Sequence, residues 1–121
     1  MGASFKDLVV WQRAVQLALE IYKVTAAFPT AEHFGLISQL RQAGVSVASN
    51  IAEGYARSSK GEYVLFPGHA RGSNFEVQTQ LTISAALGFG SEESLKLAQN
   101  LSEEVSRMLV AMMAALQKKK Q

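Results

Sequence analysis

Between Gln39 and Gly54 the chain reads Gln-Leu-Arg-Gln-Ala-Gly-Val-Ser-Val-Ala-Ser-Asn-Ile-Ala-Glu-Gly, a pattern that only a helix sorts cleanly. At about 100° per residue, Ile37, Leu40, Gly44, Val47 and Ile51 fall on one side, and Gln39, Ser46, Asn50, Glu53 and Arg57 fall together on the opposite side. A strand would send successive residues to opposite faces and scatter both sets. Gly44, Ala48 and Ala52 add a track of small residues, one per turn, along which a neighbouring helix can approach closely. An apolar seam backed by a polar stripe is the mark of a helix packed on one side.

The same logic divides the rest of the chain. Ser4 can cap a first helix with Asp7 at the third position, and its apolar pattern runs until Pro29, giving a helix over about 5–28. Thr30 can cap the second, with Glu32 in its positive first turn, giving about 31–57. A third segment, about 61–87, carries Tyr63, Phe66, Ala70, Ser73, Val77, Gln80, Ser84 and Leu87 at three-four spacing and ends in Gly88-Phe89-Gly90, which offers glycine for a left-handed cap. Ser91 caps the fourth, about 91–117, with Glu92 and Glu93 in its first turn and the seam Leu101, Val105, Met108 and Met112. No strand-length alternation and no Asn-Gly or Asp-Gly hairpin signal occurs. The expected fold is all-α: an up-down-up-down antiparallel four-helix bundle, one domain over residues 1–121. Pro67-Gly68 interrupts the third segment. Proline removes a helical hydrogen bond and presses on the carbonyl four residues back, so a kink or break is expected near 63–68.

Helix 1 carries too much apolar surface for a helix at the edge of a monomer. One strip is Leu8, Trp11, Val15, Ala18, Tyr22 and Thr25. A second, about 110° away, is Val10, Ala14, Leu17, Ile21, Val24 and Phe28. Together they span about twice the stripe of about 100° that a surface helix buries. A second apolar face needs cover, and self-association through Val10, Leu17, Ile21 and Val24 provides it; the alternative is that both strips are buried within one chain.

The chemistry that these residues can support is limited. With 121 residues, 48% of them hydrophobic, the chain can build one core. It has no cysteine, which removes disulfides and thiolate metal sites and suits a reducing compartment. The N-terminal residues lack a basic region followed by an apolar one, and the longest apolar run, Met108 to Leu116, is about half a membrane span, so a cytoplasmic, non-membrane protein is expected. The only histidines are His33 and His69, neither within a nucleophile motif; Gly-x-Ser-x-Gly and the glycine-rich phosphate loops are absent. Glu62, His69 and Glu76 recur every seven residues but lack the Glu-x-x-His pairs of di-iron bundles, and Pro67 breaks their alignment, which favours a solvated face over a metal site. No catalytic residue, cofactor or metal is assigned.

Two surfaces are left as candidates. Arg57, Lys60 and Arg71 cluster around the second connection, with Arg41 at the edge of the helix 2 seam, and could touch the phosphates of RNA or DNA; the net charge is only +2. The stripe of Gln39, Ser46, Asn50 and Glu53 could instead receive a protein partner, as in an adaptor, or be plain solvated surface. Glu53 and Arg57 stand at ion-pair spacing.

Several of these residues also carry a resemblance. Phe5 to Gln12, Tyr22 with Phe28-Pro29, Phe34-Gly35-Leu36 with Gln39-Leu40-Arg41, Ser46 to Gly54, and Ala70-Arg71-Gly72-Ser73 followed by Glu76 and Gln80-Leu81 resemble the bacterial four-helix-bundle proteins encoded in 23S rRNA intervening sequences. The resemblance covers nearly the whole chain, with separate motifs in the right order. It implies a small bundle assembled as a ring-shaped homopentamer, with no catalytic residues to carry over and a molecular role largely unassigned. It also implies kinship with the accessory variability determinants of diversity-generating retroelements, basic pentamers implicated in binding nucleic acid and a reverse transcriptase. The chain departs from the pattern at Phe66-Pro67-Gly68-His69, where the family continues a leucine-rich helical run, and its charge is lower than that of the retroelement proteins.

Overall fold

The computed structural model describes residues 4–58 and 65–120. Ser4 and Asp7 form the expected capping box: Ser4 Oγ accepts from the Lys6 amide at 3.1 Å, and Asp7 Oδ2 accepts from the Ser4 amide at 3.1 Å. The box caps a single 3-10 turn, Phe5–Asp7, rather than the long helix. Leu8 is extended, and α1 then runs Val9–Thr25. A second 3-10 turn, Thr30–Glu32, leads to α2, Leu36–Ser58. The described parts of the second half are α3, Leu65–Ala86, and α4, Glu92–Lys120.

Beyond the later start of α1, two further boundaries in the first half differ from those expected, and α4 runs on to Lys120. Helix α1 stops at Thr25, whose hydroxyl donates to the Ile21 carbonyl at 2.7 Å, and Phe28 turns back into the core beyond it. Helix α2 starts five residues after the expected position 31. Thr30 opens only the 3-10 turn, and the Glu32 carboxylate accepts from the Leu36 amide at 3.1 Å, satisfying a donor of the true first turn. Ser91 does cap α4, accepting from the Ser94 amide at 3.1 Å.

Consecutive helices pack together, and α1 also packs against α4, while the backbones of the diagonal pairs stay apart. This is a four-sided antiparallel bundle. Its core holds Leu17, Ile21, Leu40, Val47, Ile51, Val77, Leu81, Val105 and Leu109, all fully buried; burying each such side chain contributes about 1.5–3 kcal/mol. At Gly44 a Cβ would sit 2.7 Å from Ile21 Cδ1 and 3.7 Å from the Ala18 Cα, so glycine is what lets α1 cross there. The α3–α4 turn uses Gly88 and Gly90 at φ near +75°. The Phe89 amide donates to the Ser84 carbonyl and the Gly88 amide to that of Ala85, a paired closure of the helix end. Phe89 then packs on Phe28 from the end of α1, ring centroids 5.7 Å apart.

Helix α3 is continuous through Pro67-Gly68 from Leu65 onward. No break falls in its described length, and the earlier part of the 63–68 region lies outside the described residues. The buried line of α3 is Pro67, Ala70, Asn74, Val77, Leu81 and Ser84. Asn74 and Leu81 therefore occupy the positions expected for Ser73 and Gln80, a shift of one residue around the helix, and Leu87 is exposed. The shift is possible because Ala70, Val77 and Ser84 belong to both three-four patterns.

A candidate association surface

The residues assigned to an oligomer face prove to be the core. Val10, Leu17, Ile21 and Val24 are buried within the chain, packed among Leu40, Val47, Val105 and Leu109 in one cluster. The two strips of α1 exchange roles because both are apolar and the 3.6-residue period alone cannot say which turns inward. The other strip lies at the rim: Leu8 and Trp11 pack against the edge of the core, Val15 and Ala18 are half-buried, Thr25 is buried and Tyr22 is exposed.

That outer strip forms one wall of a groove of about 340 Å³. Helix α1 supplies Trp11, Val15, Ala18, Leu19 and Tyr22, and α2 supplies Val45, Ala48, Ser49 and Ala52. None is charged. Leu19 is 65% exposed, Tyr22 46% and Val45 44%. The track of Gly44, Ala48 and Ala52 explains the shape: its small side chains draw α1 close at Gly44 and leave the groove floor low at the other two. Trp11 is held at one end by the ring of Phe5, 5.2 Å away and nearly perpendicular. At the other end, Tyr22 and Val45 also line a second depression, shared with Ile37, His33 and Phe34. Phe34 itself is 91% exposed, the most exposed large apolar side chain described. It was not among the residues singled out as a site; its signal was an aromatic residue standing before Gly35, in a connection rather than on any helical stripe.

The polar stripe of α2 faces α3. Asn50 Nδ2 donates to the Ser46 carbonyl and to Ser46 Oγ, both at 2.9 Å, and Ser46 Oγ lies 2.8 Å from Ser73 Oγ. Gln80 Nε2 donates to Gln39 Oε1 at 3.3 Å. Of the four stripe residues, Gln39, Ser46 and Asn50 thus serve the α2–α3 seam or its surroundings. Only Glu53 points to another task, an ion pair with Arg57 at 2.8 Å across one helical turn.

The basic residues are likewise occupied. Arg41 reaches back to the end of α1: its Nε donates to Thr25 Oγ1 at 2.9 Å and its Nη2 to the Tyr22 carbonyl at 3.3 Å. Its guanidinium also lies 4.5 Å from the centre of the Tyr22 ring. A cation at a helix C-terminus meets the negative end of the dipole, so Arg41 is a fastener between α1 and α2. Arg71 lies over the Phe75 ring at 5.2 Å. Lys60 falls outside the described residues, and the three arginines have different partners: Arg41 the end of α1, Arg57 the Glu53 carboxylate and Arg71 the Phe75 ring. His69 and Glu76 are exposed on α3, and Glu62 is outside the described residues. Among the described residues no group of three His, Asp or Glu side chains is placed to hold a metal ion, and no helix is long and apolar enough to cross a membrane.

One buried pair had no counterpart among the expectations. Asn74 Nδ2 donates to the Ser102 carbonyl at 2.8 Å, and Ser102 Oγ donates to Asn74 Oδ1 at 2.7 Å, joining α3 to α4 inside the core.

Comparison with known proteins adds the lineage. The sequence profile of the family described as 23S rRNA-intervening sequence protein matches residues 6–111. A crystal structure of a protein of unknown function from the S23 ribosomal protein family of Bacteroides thetaiotaomicron superposes with a TM-score of 0.75 at 20% identity, covering 87% of this chain and 98% of that one. At that identity the likeness speaks for the fold. No curated protein matches the chain.

Proposed function

We propose that this chain, which belongs to the 23S rRNA-intervening sequence protein family, is a non-enzymatic scaffold that works as a homo-oligomer. The observation that carries the reading is the uncharged apolar groove across the outer faces of α1 and α2, which the bundle leaves half-covered, with Leu19, Tyr22 and Val45 exposed on it. An interface core is depleted in charge and enriched in Trp, Tyr and Phe, and this groove carries Trp11 and Tyr22. Five copies is the number that the family resemblance implies. The mass in solution tests the reading: a multiple of 13.1 kDa is expected, and a monomer at every accessible concentration refutes it.

Association with RNA or DNA is the role we propose for such a scaffold. It is supported by the positive net charge, which assembly would multiply around a ring, and by a family description that names a ribosomal RNA intervening sequence. Binding of a fluorescent RNA that weakens as salt rises is the expected signature. No affinity at low salt would remove this role and leave the scaffold standing.

A further inference from the structure

We propose that the depression between the last turn of α1 and the start of α2 binds a nucleoside monophosphate, with the base among the rings of Tyr22, His33 and Phe34 and the phosphate on Arg41. The site is complete within one chain, so it does not rest on self-assembly or on RNA binding. The depression encloses about 590 Å³, inside the range of about 300–1,000 Å³ usual for small-ligand sites. Three of its lining side chains are aromatic. His33 and Phe34 stand nearly perpendicular, 4.8 Å apart, and Phe34 is 91% exposed, so its ring is open to a planar partner. Exposed rings of this kind are stacking platforms for bases.

The charge in the depression has one sign. Arg41 is its only permanently charged lining residue, and no carboxylate lines it. Glu32, close by in sequence, spends its carboxylate on the Leu36 amide at 3.1 Å. Arg41 is tethered through Nε to Thr25 Oγ1 and through Nη2 to the Tyr22 carbonyl, while its Nη1 makes no hydrogen bond among the described residues. A guanidinium already held in place loses little freedom when its remaining donors grip an oxyanion. Arg41 and His33 also border an adjoining depression of about 410 Å³ with Thr30, which gives a phosphate room beside the ring site. The choice of a nucleotide over a simple aromatic acid comes from Gln42. Its Nε2 donates to Ser38 Oγ at 3.2 Å, and its Oε1 makes no hydrogen bond among the described residues. A glutamine amide offering both a donor and an acceptor matches the edge of adenine, whereas a phenyl ring would leave it idle.

The test is a titration of the isotope-labelled full chain with AMP, followed by its amide chemical shifts. Saturable shifts are expected at Phe34, Ser38, Arg41 and Gln42. Adenosine, which lacks the anion, and inorganic phosphate, which lacks the ring, should each bind at least about tenfold more weakly. Phe34→Ala, at an exposed position, should lower AMP affinity about tenfold with circular dichroism unchanged. Arg41→Lys keeps a cation but loses the fork, and should narrow the preference for AMP over adenosine, a readout that loosened packing alone does not move. A tetraadenylate with a 5′-phosphate that binds more tightly than AMP assigns the site to the end of a strand, and one that binds no better assigns it to the free nucleotide; both keep the ring-plus-phosphate chemistry. AMP binding by a chain without RNA affinity keeps this site and removes the RNA role. Absence of saturable shifts at these residues overturns the site, as does AMP affinity unchanged by Phe34→Ala. Inorganic phosphate or benzoate binding as tightly as AMP overturns the nucleotide assignment.

Discussion

The α1–α2 pair and the α3–α4 pair solve the same packing problem with opposite chemistry. Facing the core, α1 offers Val10, Ala14, Leu17, Ile21 and Val24, an apolar line as far as Thr25 in its last turn. Helix α3 offers Ala70, Val77 and Leu81 but also Asn74 and Ser84, and its contact with α4 is tied by two buried hydrogen bonds to Ser102. Apolar contact is strong and indifferent to register, whereas a buried amide is satisfied in one register only. The first pair therefore supplies adhesion, with enough left over to face outward, and the second supplies alignment.

The largest test of this contrast is Leu17→Ala. Leu17 is fully buried, and the cavity should lower unfolding free energy by about 2–5 kcal/mol in urea titrations. Next is Asn74→Ala, which strands the Ser102 hydroxyl in the core and should cost about 1–3 kcal/mol. Replacing both partners, Asn74→Leu with Ser102→Ala, should recover most of that loss, because no polar group is left unpaired. If the double variant unfolds as easily as Asn74→Ala, the alignment role of the pair is wrong. Arg41→Ala removes two hydrogen bonds and the stacking on Tyr22; a loss of about 1 kcal/mol is expected, smaller than for Asn74 because the site is partly wet. The smallest effect belongs to Glu53→Gln. Its pair with Arg57 is more than half exposed on both sides, so a few tenths of a kcal/mol at most should be lost, less in high salt.

How far the sequence could be read follows the same division. The α2 seam was legible because Ile37, Leu40, Val47 and Ile51 oppose a polar stripe, and one period describes both. Ser4, Ser91 and the Gly88–Gly90 turn were legible because capping depends on residues three or four apart. Helix α1 was legible as a helix but not in its orientation, since apolar residues occupy both candidate strips. In α3 the buried line was displaced by one residue because Asn74 reads as a surface residue, and the partner that makes it a core residue lies 28 positions away. The contacts of the candidate cations were illegible for a related cause. Arg41 looks free beside its own neighbours in sequence, and its partners are on α1. Phe34 entered only through the family resemblance and not as a site, because it belongs to no period at all.

Three of the four helix contacts join neighbours in sequence, and only the α1–α4 contact brings distant segments together. Such local topology favours rapid folding. It also means that α1 and α2 leave the ribosome as a hairpin with apolar residues on both sides, one awaiting α3 and α4, the other awaiting its cover. Until α4 is made, the side of the Leu17–Ile21 line that it covers lies open. The interval of synthesis between Ser58 and Glu92 is then the time when this protein is most open to sticking in the wrong place, and a cell that slows translation there lengthens that exposure.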